Sequence, residues 1–254
     1  LGRYHINSVI QRAQAAGFSV LYSDTDSIFL ELKDKTEQDA KTFIDSINAD
    51  LPGLMELDYE GFYPAGIFVS AKASLLGAKK KYALLDRKGK LKIRGFELVR
   101  RNWSFVAKEV QETVLNIILK EKDINKAFDY VKDIITQIRN HSLPIEKMII
   151  ATQLQKATDA YDSAGPHVAV ARRMMERGVD VSPGLIIKFV VTTGKGIIRE
   201  RARMPEEVLN NDYDADYYIN NQIIPSVDRL FAVFGINLIE LLLPKTQSTL
   251  GQWF

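Results

Sequence analysis

Residues 22–29 read Tyr22-Ser23-Asp24-Thr25-Asp26-Ser27-Ile28-Phe29, a polar stretch that holds two carboxylates two residues apart. Apolar residues flank it, with Val20-Leu21-Tyr22 before it and Ile28-Phe29-Leu30 after it. Short β-prone runs around a polar turn predict a hairpin with the two acids at its tip. Two anions at one turn repel each other unless a cation lies between them, and carboxylate oxygens suit Mg2+ or Mn2+. A bare Asp-x-Asp is more often an ordinary polar turn, so the metal prediction depends on the whole octapeptide.

The composition excludes several classes of protein. The 254 residues contain no Cys, which rules out disulfides, thiolate zinc sites and Cys nucleophiles. The sequence has no Walker loop, no GxGxxG and no apolar run near the ~20 residues that a membrane span needs. No signal peptide is visible, and we expect a cytoplasmic protein without membrane contact.

The net charge of +2 conceals a polarised distribution. From Lys72 to Arg101 there are eleven Lys or Arg and two acids, whereas Ser23 to Glu60 carries eleven acids and three Lys. Adjacent acidic and basic segments are typical of a site that handles phosphate, with carboxylates for metal ions and cations for a nucleic-acid backbone. A solvated charged hairpin is the alternative interpretation of the basic segment.

Hydrophobic periodicity predicts an α+β first part and a mainly helical second part, with a boundary near residue 100. The first part has helices over Arg3–Ala16 and after the cap residue Thr36. Its predicted strands are the hairpin strands, 55–60, 66–71, 79–86 and 91–94. The second part has one predicted strand, 184–191, and Pro225 is predicted to kink or divide the last helix. Its predicted helices are 103–119, 124–138, 145–156, 168–177 and 216–234.

The octapeptide resembles motif C of the family B (polymerase α-like) DNA polymerases, whose usual form is Tyr-Gly-Asp-Thr-Asp-Ser. Ser23 stands where the family usually has Gly, so the backbone there must tolerate a Cβ. The resemblance implies that Asp26 is the first ligand of a catalytic two-metal site and that Asp24 is a more peripheral one. The ions would be Mg2+, with Mn2+ as a substitute, and would activate the primer 3′-hydroxyl for attack on a dNTP.

Lys79-Lys80-Lys81-Tyr82 resembles the Lys-Lys-Arg-Tyr segment that follows motif C in that family and touches the primer strand through the minor groove. On a strand, Lys80 and Tyr82 share one face, and Lys79 and Lys81 share the other. Minor-groove acceptors are nearly the same for every base pair, so such contacts check pairing without reading sequence. The basic strand and loop over Lys188–Arg203 resembles thumb sequence. Its predicted phosphate contacts, for which simple surface charge is the alternative, are Lys195, Arg199, Arg201 and Arg203.

The last eight residues fit the Gln-x-x-aliphatic-x-x-aromatic-aromatic pattern of peptides that bind sliding clamps. One helical turn brings Leu250, Trp253 and Phe254 together as an apolar plug, and Gln247 can hydrogen-bond in a pocket of its own. The alternative is a helix end that packs on its own domain. The segment Gly95–Ser104 resembles the join between palm and thumb, and we expect its role to be structural.

The resemblance covers essentially the whole chain and is archaeal in style. It implies an α+β fold in which a partial antiparallel-sheet palm with flanking helices (1–100) precedes a mainly helical thumb (101–243) and a clamp-binding tail (244–254). Motif A, with a further metal-binding Asp, and motif B, with a nucleotide-binding Lys, have no counterpart in these residues. The chain begins at Leu1. We therefore expect a partner that carries both motifs: the N-terminal portion of a longer polymerase or the large subunit of a split one.

The expected function is nucleotidyl transfer on primer-template DNA in the nucleoid, with a sliding clamp as a further partner and no activity from this chain alone. Two alternatives stay open. One is a non-catalytic, clamp-tethered module that binds duplex DNA, against which intact Asp24 and Asp26 argue. The other is a metal-dependent nuclease, which the lack of further acid or His ligands in register disfavours.

Overall fold

The computed structural model describes residues 2–24, 26–70 and 77–238, apart from the side chains of 2–4, 70 and 77–80. It divides the chain into two compact units, the first ending at Arg94 and the second beginning at Gly95. Helices and small antiparallel sheets occur together, which confirms the predicted α+β class. Across the described ranges, no helix is long and apolar enough to cross a membrane.

In the part of the first unit that the structure describes, two helices combine with two antiparallel sheets. Gly17, at φ +81°, follows the first helix, and Thr36 caps the second through reciprocal hydrogen bonds with Asp39, as the sequence predicts. Strands β1 and β2 form one sheet, and β3, β4 and β5 form the other in that order. In chain order the elements are α1 (Gly2–Ala15), β1 (Ser19–Asp24), β2 (Ser27–Glu31), α2 (Glu37–Asn48), β3 (Ala65–Ser70), β4 (Gly77–Leu85) and β5 (Leu91–Arg94).

The two helices of the first unit build an apolar core against one face of the β1–β2 hairpin. Each large apolar side chain that is fully buried contributes about 1.5–3 kcal/mol, so this face holds the hairpin against the helices. The buried core residues are Val9, Ala13, Phe18, Ala40, Phe43 and Ile47, and the hairpin residues packed against them are Val20, Ile28 and Leu30.

The predicted strand over 55–60 is wrong, because this segment has no strand partner. Half-buried and exposed residues alternate only from Leu57 to Glu60, since Met55 and Glu56 are both exposed, and a side chain takes the place of a neighbouring strand. The Asn48 amide donates to the Leu57 carbonyl at 3.1 Å and its oxygen accepts from the Leu57 N–H at 2.8 Å. One Asn therefore satisfies both backbone groups that a β-ladder would otherwise pair.

Over its described residues, 95–238, the second unit is mainly helical and contains one three-stranded antiparallel sheet in the order β6-β7-β8. Two five-residue π-helical segments, Ile117–Glu121 and Ile219–Ile223, interrupt its helical runs. The elements are α3 (Phe105–Asn116), α4 (Ile124–Arg139), α5 (Ile145–Met148), β6 (Ile150–Gln153), α6 (Pro166–Glu176), β7 (Ile186–Val191), α7 (Ile198–Arg201), β8 (Ala202–Arg203), α8 (Ala215–Tyr218) and α9 (Ile224–Ala232).

Backbone hydrogen bonding decides two features of the second unit, the end of the helix predicted over 145–156 and the form of the helix around Pro225. The helix predicted over 145–156 is wrong beyond Met148, because Ile150–Gln153 pairs as β6 with β7, with Ile150 opposite Phe189. Pro225 divides the last helical run as predicted. It has no N–H to donate to the preceding turn, and that turn has widened into a π-helix over Ile219–Ile223.

A buried glutamine joins three segments of the second unit. The side-chain oxygen of Gln111, on α3, accepts from the Leu98 N–H at 2.8 Å. Its amide nitrogen donates to the Glu97 carboxylate at 2.9 Å and to the Ser226 carbonyl of α9. Phe96 beside this turn is also buried, whereas Leu98 and Trp103 are half-buried and Val99 is 58% exposed, so only part of the Gly95–Ser104 segment lies in the core.

Replacing Gln111 by Leu should lower the free energy of unfolding by about 3 kcal/mol, because polar backbone groups inside the core would lose their partner. Urea unfolding followed by circular dichroism measures this change. Gln137→Leu, at an exposed position of α4, is the matched control and should change stability by less than about 0.5 kcal/mol. Equal stability of the two variants would contradict the role given to Gln111.

Candidate active site and nucleic-acid interface

The two carboxylates lie at the tip of a tight hairpin. Asp24 is the last residue of β1 and is paired with Ser27, the first residue of β2, so a two-residue loop joins the strands. The Ser27 hydroxyl donates to the Asp24 carbonyl at 3.3 Å. Asp24 is half-buried and Asp26 is exposed in the loop. Ser23 sits opposite Ile28 without a positive φ, so ordinary strand backbone accommodates its Cβ.

A β-bulge at Leu21 sets which way the hairpin residues face. The pairing runs Val20 with Leu30 and then Tyr22 with Phe29, which leaves Leu21 unpaired and 53% exposed. Beyond the bulge, Tyr22 and Asp24 lie on the face opposite the helical core. Asp24 therefore shares its face with an aromatic ring and not with the apolar core.

That face of the hairpin packs on the second sheet through four aromatic rings. Tyr22 and Phe29 from the hairpin meet Phe68 of β3 and Tyr82 of β4, with ring centroids 5.1–5.8 Å apart. Aromatic pairs at this separation contribute about 0.5–1.5 kcal/mol each beyond the area they bury. Burial also raises the pKa of Tyr82, whose hydroxyl is protonated at neutral pH in any case and can donate a hydrogen bond. The octapeptide and the Lys-Lys-Lys-Tyr segment are thus brought together by their own tyrosines.

The lysines of that segment do not share one environment. Lys81 is 8% exposed and lies on the face of β4 opposite Tyr82, beside the buried Ala83 position. It is therefore not an exposed cation within this unit. The side chains of Lys79 and Lys80 lie outside the described part of the structure. On the Tyr82 side, Lys92 of β5 pairs with Glu60, which raises the pKa of Lys92 against the opposing effect of burial.

No metal site is complete within the described residues, because they contain no group of three or more His, Asp or Glu placed to hold an ion. Asp24 and Asp26 nonetheless offer the hard oxygen donors that Mg2+ and Mn2+ prefer. Mg2+ is commonly held by one or two carboxylates while waters and substrate phosphates complete its shell. The pair fits part of such a site and requires further ligands.

A second cationic surface lies in the second unit, on the loop between β7 and α7 and on α7 itself. Lys195 and Arg199 are exposed there. Lys195 lies between Gly194 and Gly196, which have φ values of +128° and +101°. L side chains rarely adopt either φ value, so the backbone of this turn favours glycine at both positions.

The other two predicted phosphate contacts have protein partners. Arg201 forms an ion pair with Asp214, and the two side chains are 16% and 18% exposed. Arg203 is half-buried and donates to the backbone carbonyls of Glu200 and Ala202. Sequence reasoning did not find Asp214, although its place as the N-cap of α8 is the kind of local signal that a helix start carries. The predicted clamp-binding residues, Gln247, Leu250, Trp253 and Phe254, lie outside the described residues.

Residues 3–234 match the family model of DNA polymerase family B, and the chain belongs to that family. A DNA polymerase of Pyrococcus horikoshii is 42% identical over 260 aligned positions, which cover 99% of this chain and 20% of that relative. The DNA polymerase of Thermococcus gorgonarius is 41% identical, covering 99% of this chain and 33% of the relative.

A solved structure agrees with this membership. The family B DNA polymerase from the hyperthermophilic archaeon Pyrobaculum calidifontis matches with a TM-score of 0.68 and 30% identity, covering 93% of this chain and 29% of that one. The chain therefore spans about a fifth to a third of the length of these relatives. The family resemblance drawn from the octapeptide is confirmed, as is the archaeal character of the relatives.

Proposed function

We propose that this chain supplies part of the active site and of the DNA grip of a template-directed DNA polymerase. The observation that carries the proposal is the pair Asp24 and Asp26 at the tip of the β1–β2 hairpin, in a chain that belongs to family B. Residues 1–100 would be the C-terminal part of the palm, 101–243 the thumb and 244–254 a clamp-binding tail. The protein would act in the cytoplasm, on nucleoid DNA.

Asp26 would be the principal ligand of the catalytic metal site, because its carboxylate is exposed in the loop, and Asp24 would be a second ligand from the strand end. A divalent ion held there supplies Lewis acidity for transfer of the nucleotidyl group of a dNTP. The aromatic packing of Tyr22 fixes the strand that carries Asp24, so the carboxylate is positioned before substrate binds. The remaining ligands would come from motif A of a partner segment, and the nucleotide-binding Lys from its motif B.

Duplex DNA would be held by cations from both units. In the palm, Lys79, Lys80 and Tyr82 would make a minor-groove contact near the primer end, whereas the buried Lys81 would not. In the thumb, the exposed side chains of Lys195 and Arg199 support contacts with phosphates. These contacts do not read base identity, as a polymerase that copies any template requires.

Asp26→Asn should lower the rate of nucleotide incorporation about a thousandfold or more, because a metal ligand contributes several kcal/mol in the transition state. The assay mixes the chain with a partner that carries motifs A and B and measures single-nucleotide incorporation. Asp24→Asn should have a milder effect, and DNA affinity should change little in both variants.

The matched control is Asp34→Asn, which removes the same charge from an exposed position after β2 and should leave turnover near normal. The isolated chain should not extend a primer. Extension by the isolated chain, or near-normal turnover of Asp26→Asn beside its partner, would contradict the shared active site. Duplex binding without any incorporation would favour the non-catalytic DNA-binding module.

Replacing Lys80 or Lys195 by Ala should weaken duplex binding and reduce the slope of log affinity against log salt by roughly one unit per lost phosphate contact. Titrations of the full chain with primer-template DNA at several salt concentrations measure both quantities. Lys132→Ala, at an exposed position of α4, is the control with the same loss of charge. If Lys80 contacts base edges alone, its replacement lowers affinity at a constant slope. Unchanged affinity and slope would refute the assignment of that lysine.

Removing Gln247–Phe254 should abolish stimulation of DNA synthesis by a sliding clamp while leaving clamp-free gap filling nearly intact. Burial of each large side chain of the plug contributes roughly 1.5–3 kcal/mol before the cost of ordering the tail. Gln252→Ala, at a position that the pattern leaves open, is the control and should keep the stimulation. Equal loss of both activities in the deletion would show that the tail belongs to the fold.

A further inference from the structure

The Thr192–Arg201 loop, which comprises the turn after β7 and the short helix α7, carries Lys195 and Arg199 and is closed at its base by hydrogen bonds between Thr192 and Arg201. The Thr192 N–H and hydroxyl both donate to the Arg201 carbonyl, at 3.0 and 2.9 Å. In return, the Arg201 guanidinium donates to the Thr192 carbonyl at 3.2 Å. These hydrogen bonds hold the two ends of the loop together, and Lys195 lies near its tip.

Asp214 holds this base from the other side. Its carboxylate accepts from Arg201 with one oxygen and from the Tyr217 N–H, at 2.9 Å, with the other. Its own N–H donates to the carbonyl of Val191, the last residue of β7, at 2.9 Å. Asp214 thus joins the loop base, the end of a strand and the start of α8 with three different atoms.

Buried hydrogen bonds anchor the helix α8 that begins after Asp214. Tyr218, one turn farther along, is fully buried, and its hydroxyl donates to the Met148 carbonyl at 2.7 Å while accepting from the Val191 N–H at 3.1 Å. The Arg201–Asp214 pair is itself mostly shielded from solvent. Taking Arg201 away from Asp214 would leave an uncompensated, partly buried carboxylate, so Arg201 is a poor candidate for leaving its partner to bind a phosphate.

We propose that Arg201 and Asp214 are positioning residues, which fix the Thr192–Arg201 loop so that Lys195 and Arg199 meet the phosphates of duplex DNA. The proposal rests on the proposed DNA-binding function and assigns Arg201 a different role within it. Preorganisation of the loop means that ordering costs are met in folding and not on binding, so affinity depends on a residue that touches no DNA.

The test is Asp214→Asn, because positioning and simple electrostatics predict opposite signs. Removing a negative charge and freeing Arg201 should strengthen duplex binding if Asp214 merely neutralises Arg201. If Asp214 positions the loop, affinity should fall, by roughly tenfold at low salt, because the phosphate contacts of Lys195 and Arg199 weaken. Asp216→Asn, an exposed position on α8, makes the same charge change without touching Arg201 and should not weaken binding.

A double-mutant cycle makes the test specific for the loop. Lys195→Ala should cost less affinity in the Asp214→Asn background than in the natural sequence, because the contact it removes is already impaired. Arg201→Lys keeps the charge but loses the forked geometry, and it should also lower affinity. This second variant provides the test if Asp214→Asn does not fold, and thermal melting of each variant establishes that the measurements concern folded protein.

Duplex affinity of folded Asp214→Asn that equals or exceeds that of the natural chain would overturn the proposal. Additive effects of Lys195→Ala and Asp214→Asn, or normal affinity of Arg201→Lys, would also overturn it. If Lys195→Ala weakens binding while the positioning variants do not, this inference fails and the proposed DNA grip stands. If Lys195→Ala and Arg199→Ala both leave affinity unchanged, the DNA grip itself fails.

Discussion

The first unit depends on the contact of four aromatic rings between a two-stranded hairpin and a three-stranded sheet. An isolated two-stranded hairpin is marginal in water, so the β1–β2 pair needs support from other elements, and it receives that support on both faces. One face lies on the core built by α1 and α2, and the other presents Tyr22 and Phe29 to Phe68 and Tyr82. The bulge at Leu21 reconciles these two demands, because it changes which residues face each side partway along one strand. Without it, Tyr22 and Asp24 would turn toward the helices.

In the second unit, buried polar side chains hold the helices and strands in place, in addition to apolar packing. Its core contains polar side chains, such as Gln111, Gln222 and Tyr218, that bond to backbone groups of segments far away in sequence. The Gln222 oxygen, for example, accepts from the Ser104 N–H at 2.8 Å across 118 residues of chain. Hydrogen bonds of this kind require one arrangement of partners, whereas apolar packing tolerates several.

The basic side chains also fall into two groups, those exposed to solvent and those held inside the fold. Exposed cations such as Lys195 and Arg199 are available to a polyanion, whereas Arg201 is held by Asp214 and Lys81 is buried. Counting basic residues in a sequence therefore overstates the number that can meet DNA. The difference arises because a guanidinium or ammonium group with a partner inside the fold must lose that partner before it can bind another anion.

Local patterns in the sequence determined the hairpin with its two acids, the caps at Gly17 and Thr36, the basic turn before β5 and the division of the last helix at Pro225. Each of these depends on residues within a few positions of one another, and the octapeptide alone was specific enough to indicate the family. The tertiary structure decided the rest. The 55–60 segment has a strand's alternation but bonds to Asn48, and Ile150–Gln153 is a strand because β7 lies beside it. Likewise, the pairing of Arg201 with Asp214 joins residues that only the folded loop brings together. Partners distant in sequence leave no periodic trace along the chain, since hydrogen bonds and ion pairs depend on distance in space.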